Sequence, residues 1–275
     1  MQGRALFLAG LLALGAGFAR AQPAEPAPYT ELFYPSGKLR IQAYLYRPEG
    51  FGPFPVVVYN HGSRDGHERD SVPFRYIGAM LAHAGYVVLV PERRGYGKSD
   101  GATWRDEAGN DPARVMQRLE AETDDVVAAV DYLRTLEFVD AKRLGIMGWS
   151  FGGIVTMLAA SRGTTFAVAV DQAGAALSWD GSAPMRAALT GAARRSTTPT
   201  LFQVASNDRT TDSITTLAAI LEERRVPNRA IVYPPFTPHS GGLRIAPGHL
   251  LFSAQGTAVW ERDVLEFLGR YLAVR

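Results

Sequence analysis

The sequence predicts an α/β fold, a doubly wound and mostly parallel sheet with helices on both faces. Two observations predict it. Short apolar runs rich in β-branched residues alternate strictly with helical segments along the chain. The length, 275 residues, suits a single large α/β domain. Leu39 to Tyr46 alternates apolar and polar residues, as a half-buried strand does. Pro55 to Tyr59 and Tyr86 to Pro91 are continuous apolar runs, suited to central strands covered on both faces. Between them, Val72 to Ala84 fits a helix. Ala113 to Leu136 is a long amphipathic helix, with Val126, Val127, Val130 and Leu133 at helical spacing.

The alternation continues to the end of the chain. Arg143 to Met147 reads as a strand and Gly152 to Ser161 as a helix. Ala167 to Val170 and Thr200 to Ala205 read as strands, and Ser213 to Arg224 as a helix. Ala230 to Tyr233 is the last strand and Val259 to Tyr271 the last helix. No internal repeat is visible. Residues 174–198 interrupt the pattern and are expected to form a small cap, with a short helix over Met185 to Arg194.

The N-terminus carries targeting features. Met1 to Arg4 holds one positive charge, Ala5 to Ala19 is almost wholly apolar, and Ala19-Arg20-Ala21 offers small residues where a signal peptidase reads. An apolar stretch of about 15 residues is short of the ~20 that a spanning helix needs, so no stable membrane anchor is expected. The expected organisation is a signal peptide over 1–21, cleaved after Ala21, an extended proline-bearing leader over 22–29, and one catalytic domain over 30–275. The expected location is secreted or periplasmic. The chain has no cysteine, which excludes disulfides and a lipid-bearing lipobox. Losing residues 1–21 removes Arg4 and Arg20 and no acid, which leaves basic and acidic residues equal in number. A nucleic-acid binder would show a basic excess or stripe, so no nucleic-acid partner is expected.

The chemistry centres on Gly148-Trp149-Ser150-Phe151-Gly152. An apolar strand runs into this pentapeptide and an apolar helix leaves it, the context of a strained strand-to-helix turn with a nucleophilic serine at its tip. A serine hydroxyl needs a base, and the base needs an orienting carboxylate. In such sheets the order is serine, acid, histidine. Of five histidines only His239 and His249 follow Ser150. The intervening aspartates are Asp171, Asp180, Asp208 and Asp212. Asp208 lies just past the strand Thr200–Ala205, at the carboxyl edge where catalytic groups gather. It is the chosen acid, with Asp171 second and Asp212 read as a helix cap. His249 is preferred to His239, because Ser240-Gly241-Gly242 loosens the chain after His239 while Leu250-Leu251-Phe252 can anchor His249. The oxyanion donors are expected to be the backbone N–H groups of Phe151 and Ser63, and His61 is read as a brace for the Ser63 loop.

Gly95-Tyr-Gly-Lys-Ser99 resembles the end of a phosphate-binding loop, but Glu92 stands where the leading glycine is required. His61 and His67 lack further ligands at metal spacing. No metal and no cofactor are expected. Trp104, Trp149 and Trp179 could line an apolar pocket, and Trp149, inside the elbow, is the one expected near substrate.

Taken together, Asn60-His61-Gly62-Ser63, Arg94-Gly95-Tyr96-Gly97-Lys98-Ser99, Gly148 to Gly153, Asn207-Asp208 and Gly248-His249 give a resemblance. Over roughly residues 30 to 272 the chain resembles the dienelactone-hydrolase-like branch of the α/β-hydrolases, related to prolyl-oligopeptidase catalytic domains and bacterial acyl esterases. The resemblance implies hydrolysis of a small-molecule ester or acyl substrate without a cofactor, and Gly248-His249 matches where that family keeps its base. Dienelactone hydrolases proper use a cysteine nucleophile, which this chain lacks. Two rival readings stand beside the esterase. A serine peptidase of the prolyl-oligopeptidase type would carry a gating domain ahead of the catalytic one, and the expectation is a chain with no room for it. A secreted binding module would keep the fold without turnover, and an intact Ser, Asp and His set argues against it.

Overall fold

A computed structural model describes residues 28–109, 111–163, 165–240 and 245–273. The expected signal peptide and most of the leader, residues 1–27, lie outside the described residues. The described residues open with a hairpin, β1 (Tyr29–Ser36) and β2 (Leu39–Tyr46), turned at Gly37 with φ 57°. Then come β3 (Phe54–Asn60), α1 (Arg75–His83), β4 (Val87–Glu92), α2 (Trp104–Glu107) and α3 (Pro112–Leu133). They are followed by β5 (Val139–Trp149), α4 (Phe151–Ala160), β6 (Val168–Gln172), α5 (Ala183–Arg195) and β7 (Thr200–Ala205). The chain ends with α6 (Asp212–Glu223), β8 (Asn228–Tyr233), a 3-10 turn over Pro247–Phe252 and α7 (Thr257–Leu272).

One eight-stranded sheet has the order β1-β2-β4-β3-β5-β6-β7-β8. β2 runs antiparallel to β1 and β4, and every other neighbouring pair is parallel. This is the predicted sheet. Helices α3, α4, α5 and α6 pack together on one face, and α1 and α7 meet on the other. Val56 to Val58, Val87 to Val90 and Ile146 to Met147 are fully buried, as continuous apolar runs in central parallel strands require.

The structure departs from the sequence reading at the first two strands and at residues 174–198. β1 begins at Tyr29, so the leader ends one residue earlier than its composition suggested. β2 is buried on both faces from Ile41 onward, not half-buried, because it sits between β1 and β4, with α1 packed on it and the loops holding Ser71 and Lys98-Ser99 against Gln42. Its polar Gln42 is satisfied inside, donating to Glu31 and Tyr44 and accepting from the Lys98 N–H at 2.7 Å. Residues 174–198, expected as a small cap, instead form the crossover from β6 to β7. Their helix α5 is capped by Ser182 and packs on α3, α4 and α6.

Candidate active site

β5 ends at Trp149 and α4 begins at Phe151, leaving Ser150 alone in the turn with φ 59° and ψ −120°. A non-glycine residue rarely adopts that conformation, and it costs on the order of 1–3 kcal/mol unless the surroundings enforce it. The surroundings do enforce it. The Ser150 N–H donates to the Gln172 carbonyl at 2.9 Å, and the Ser150 carbonyl accepts from Gly153 N–H at 2.9 Å. A Cβ at Gly148 would lie 2.2 Å from the Gly152 carbonyl oxygen, and one at Gly152 would lie 1.9 Å from that of Asn60. The turn is therefore closed too tightly to admit any other residue at these two positions.

Asp208 and His249 arrive from two further loops. Asp208 follows β7, its N–H donating to the Ala205 carbonyl at 3.0 Å. The loop is pinned by Asn207, whose side-chain amide both donates to and accepts from the backbone of Phe236 at 2.9 Å. His249 lies in the 3-10 turn, 2% exposed, and Gly248 presses that turn against Asn207 and Asp208. His249 Nδ1 is 2.8 Å from Asp208 Oδ2, and His249 Nε2 is 2.9 Å from Ser150 Oγ. A carboxylate only accepts, so Nδ1 carries the proton and donates to Asp208, while Nε2 accepts from the serine hydroxyl. Asp208 Oδ1 accepts from the Arg209 N–H at 2.7 Å.

The structure thus brings Ser150, His249 and Asp208 into one hydrogen-bonded line. It leaves the competing residues elsewhere. His239 is exposed, its N–H donating to Gln255 Oε1 at 2.7 Å. Asp171 is buried beside the elbow, where Oδ1 accepts from Gly174 N–H at 2.8 Å and Oδ2 has no partner among the described residues. Burial pushes its carboxyl up to about 7, against the single N–H that lowers it. Asp212 opens α6 as its first residue, and Thr211 holds the cap position expected for Asp212.

The loop after β3 lies against the serine, since a Cβ at Gly62 would come 3.2 Å from Ser150 Cβ. The Phe151 N–H, first in α4, has no intrahelical acceptor. The Ser63 N–H follows Gly62 in the loop touching Ser150. His61 is fully buried and donates from Nδ1 to the Gly62 carbonyl at 2.7 Å. Burial, then the nearby Arg93 and Arg64 charges, hold its imidazole well below the usual histidine range, so it stays neutral and braces the loop.

Three hydrogen bonds that steady the site were not foreseen from the sequence. Asn60 Nδ2 donates to Thr156 Oγ1 at 3.0 Å and ties β3 to α4 behind the elbow. Trp149 Nε1 donates to the His249 carbonyl at 3.1 Å. Arg93, fully buried, donates from Nη2 to the His61 carbonyl at 2.8 Å. Of the three tryptophans, Trp149 borders the site, Trp104 packs on Phe151 with ring centroids 4.7 Å apart, and Trp179 is buried in the core.

An apolar cleft of about 610 Å³ opens beside Trp149. A larger hollow of about 1150 Å³ lies by Pro53, Phe54 and Arg143, at the far end of the parallel strands from Ser150. Among the described residues no helix is long and apolar enough to cross a membrane, and no three His, Cys, Asp or Glu residues group to hold a metal.

The family model of the prolyl oligopeptidase family matches residues 73–180, a stretch holding Ser150 but neither Asp208 nor His249. The quorum-quenching protein AidA of Acinetobacter baumannii is 26% identical over 147 residues, which are 54% of this chain and 44% of that protein. The match thus spans less than half of that relative's length. Among solved structures, the acylaminoacyl peptidase of Pyrococcus horikoshii superposes with a TM-score of 0.66 at 19% identity, covering 89% of this chain and 41% of that one. A Klebsiella pneumoniae protein described as a dienelactone hydrolase gives a TM-score of 0.63 at 21% identity, covering 89% and 99%. The chain is an α/β-hydrolase by fold, and its matches fall in the branch that joins dienelactone-hydrolase-like and prolyl-oligopeptidase-related proteins.

Proposed function

We propose that the protein is a serine hydrolase that cleaves carboxylic esters or related acyl bonds. The observation that carries this reading is the line of hydrogen bonds from Asp208 through His249 to a serine at the tip of a strained turn. His249 Nε2 takes the hydroxyl proton as Ser150 Oγ bonds to the acyl carbon. The Phe151 and Ser63 N–H groups hold the oxyanion. The bond to the leaving oxygen breaks, and Nε2 returns its proton to that oxygen. Water then repeats the sequence on the acyl-enzyme, releasing the acid and restoring Ser150. Asp208 holds the imidazole's tautomer and steadies its charge throughout.

A fluorophosphonate probe tests the reading. The parent is expected to label at Ser150, as located by peptide mass spectrometry. Ser150→Ala is expected to lose label and ~10⁴–10⁶ in turnover of short esters. A folded Ser150→Ala variant that works at the parental rate refutes the assignment. The match to the prolyl oligopeptidase family favours one second reading, an aminoacyl or peptide substrate. Esters and anilides of the same acyl group, assayed side by side, decide between the two. Residues 1–21 are proposed to act as an export signal, on the evidence of the charged start, apolar run and Ala-Arg-Ala. Exported protein beginning at Gln22 supports this, and a retained Met1 refutes it.

A further inference from the structure

The cleft beside Trp149 carries an inference about the substrate, and it rests on the serine-hydrolase reading above. Its walls come from two places. Val72, Pro73 and Phe74 lead into α1 and Tyr76 lies in its first turn, while Ala254 and Ser253, whose hydroxyl already donates to the Leu250 carbonyl, follow the 3-10 turn that holds His249. Trp149 joins them. The one charged residue along the cleft, Arg75, is already engaged, its guanidinium 5.2 Å from the centre of the Tyr29 ring. A volume of about 610 Å³ is that of a small-molecule site, and the lining offers almost nothing for a polar or charged group to bond. An occupant that gains by entering must therefore be apolar.

The position of the cleft says which half of an ester that occupant is. Trp149 precedes the nucleophile directly. Its ring lies 5.7 Å from the His249 ring, and its Nε1 donates to the His249 carbonyl. Ala254 lies five residues beyond His249. The cleft therefore shares two walls with the base. In acyl transfer the departing oxygen must sit by the base, because the proton on Nε2 goes to that oxygen as the acyl–oxygen bond breaks. We infer that the cleft receives the apolar alkyl or aryl group of the leaving alcohol, so that the preferred substrates are esters of hydrophobic alcohols. The acyl group extends elsewhere from the same carbonyl carbon.

Two ester series test this. The first holds acetate constant and varies the alcohol through methanol, hexan-1-ol and 2-naphthol. The second holds methanol constant and varies the acid from acetate to hexanoate. Ala254→Trp narrows the cleft at an exposed position that a large side chain can occupy without disturbing the core. Val72→Phe, on the other wall, is the second variant should the first fold poorly. A methylene-sized change in a hydrophobic pocket shifts kcat/KM by roughly 10- to 200-fold, and an open cleft belongs at the low end. The expected result is a fall of about tenfold in the kcat/KM ratio of 2-naphthyl to methyl acetate, with the hexanoate-to-acetate ratio shifting by less than about threefold. If the acyl-series ratio falls instead, the cleft holds the acid half and the inference is overturned. If neither ratio moves in either variant, the cleft is no subsite and the inference is likewise overturned. These failures differ from failure of the parent reading, in which the unmodified protein takes no fluorophosphonate label at all.

Discussion

Asp171→Asn separates the buried carboxyl beside the elbow from the one that faces His249. Asp171 is 1% exposed, and among the described residues its carboxyl takes one hydrogen bond, from the Gly174 N–H. Burial raises its pKa to about 7, from an ordinary value of 3.8. Below about pH 4 the folded and unfolded chains both hold this proton, and the group adds no pH dependence. Between about 4 and 7 the folded protein keeps a proton that the unfolded chain has released. The unfolded state then binds fewer protons, so stability falls as pH rises, and it levels off above 7. From pH 5 to pH 8 this single group removes about 2.5 kcal/mol. Asparagine fits the same space, because its Oδ1 can accept from Gly174 and its amide has the shape of the protonated acid. Urea unfolding of parent and variant at pH 5 and pH 8 measures the difference. The variant is expected to gain about 2–3 kcal/mol on the parent between the two pH values. Ester turnover at pH 8 is expected to stay within a few-fold of the parent. Parallel stability curves would refute the burial argument, and loss of turnover would move the orienting acid from Asp208 to Asp171.

Asp208→Asn is expected to lower kcat by ~10⁴, because an amide in place of the carboxylate no longer selects the Nδ1–H tautomer; steady-state kinetics on a short ester checks it. His249→Ala is expected to abolish turnover in a folded protein while His239→Ala remains active, with circular dichroism confirming both folds; the reverse pattern would exchange their roles. Gly248→Ala puts a Cβ 2.4 Å from Asn207 Oδ1 and 2.5 Å from the Asp208 nitrogen. The His249 turn must shift, and a displacement of about 1 Å costs on the order of 10²-fold in kcat, read against an unchanged fluorescence spectrum.

The sheet was legible because central parallel strands are apolar on both faces and stand out as runs, as Val56 to Val58 and Val87 to Val90 do. The elbow was legible because its pentapeptide falls between such a strand and an apolar helix. β1 was not legible. Its sequence, Tyr29 to Ser36, carries Glu31 and Pro35, and as an edge strand it needs to cover only one side. The expected cap failed for a different reason. Pro184, Gly191 and three arginines dilute the apolar face of α5, yet Met185, Leu189, Ala192 and Ala193 are buried against other helices. A helix of small residues packs closely without a strong hydrophobic stripe. At the site, chain order and elimination left two histidines and several aspartates. What separates them is three-dimensional, since His249 becomes the base only because Gly248 lets its turn press onto the Asn207-Asp208 loop.

Helix α3 shows most plainly what a periodic reading misses. Its apolar positions mark one face, which leaves Arg118, Glu122 and Asp125 looking like solvent residues, yet all three are buried. Glu122 accepts from Arg93 at 2.6 Å and from Arg118 at 2.9 Å. Asp125 accepts from Arg94 and from Ser36 Oγ at 2.7 Å, which locks the β1 hairpin to α3. Burying such charges gains little net stability, but removing one partner leaves the other stranded at a cost of about 3–5 kcal/mol. The network is therefore better understood by what it positions. Arg93, held by Glu122, reaches the His61 carbonyl, and His61 in turn holds the Gly62 carbonyl. The loop whose Ser63 N–H is proposed to face the oxyanion is thus fixed from behind by Arg93, just past β4, and Glu122 on α3. Those residues have ordinary helix-surface chemistry in the sequence, and only the neighbours that the fold supplies turn them into the frame of the site.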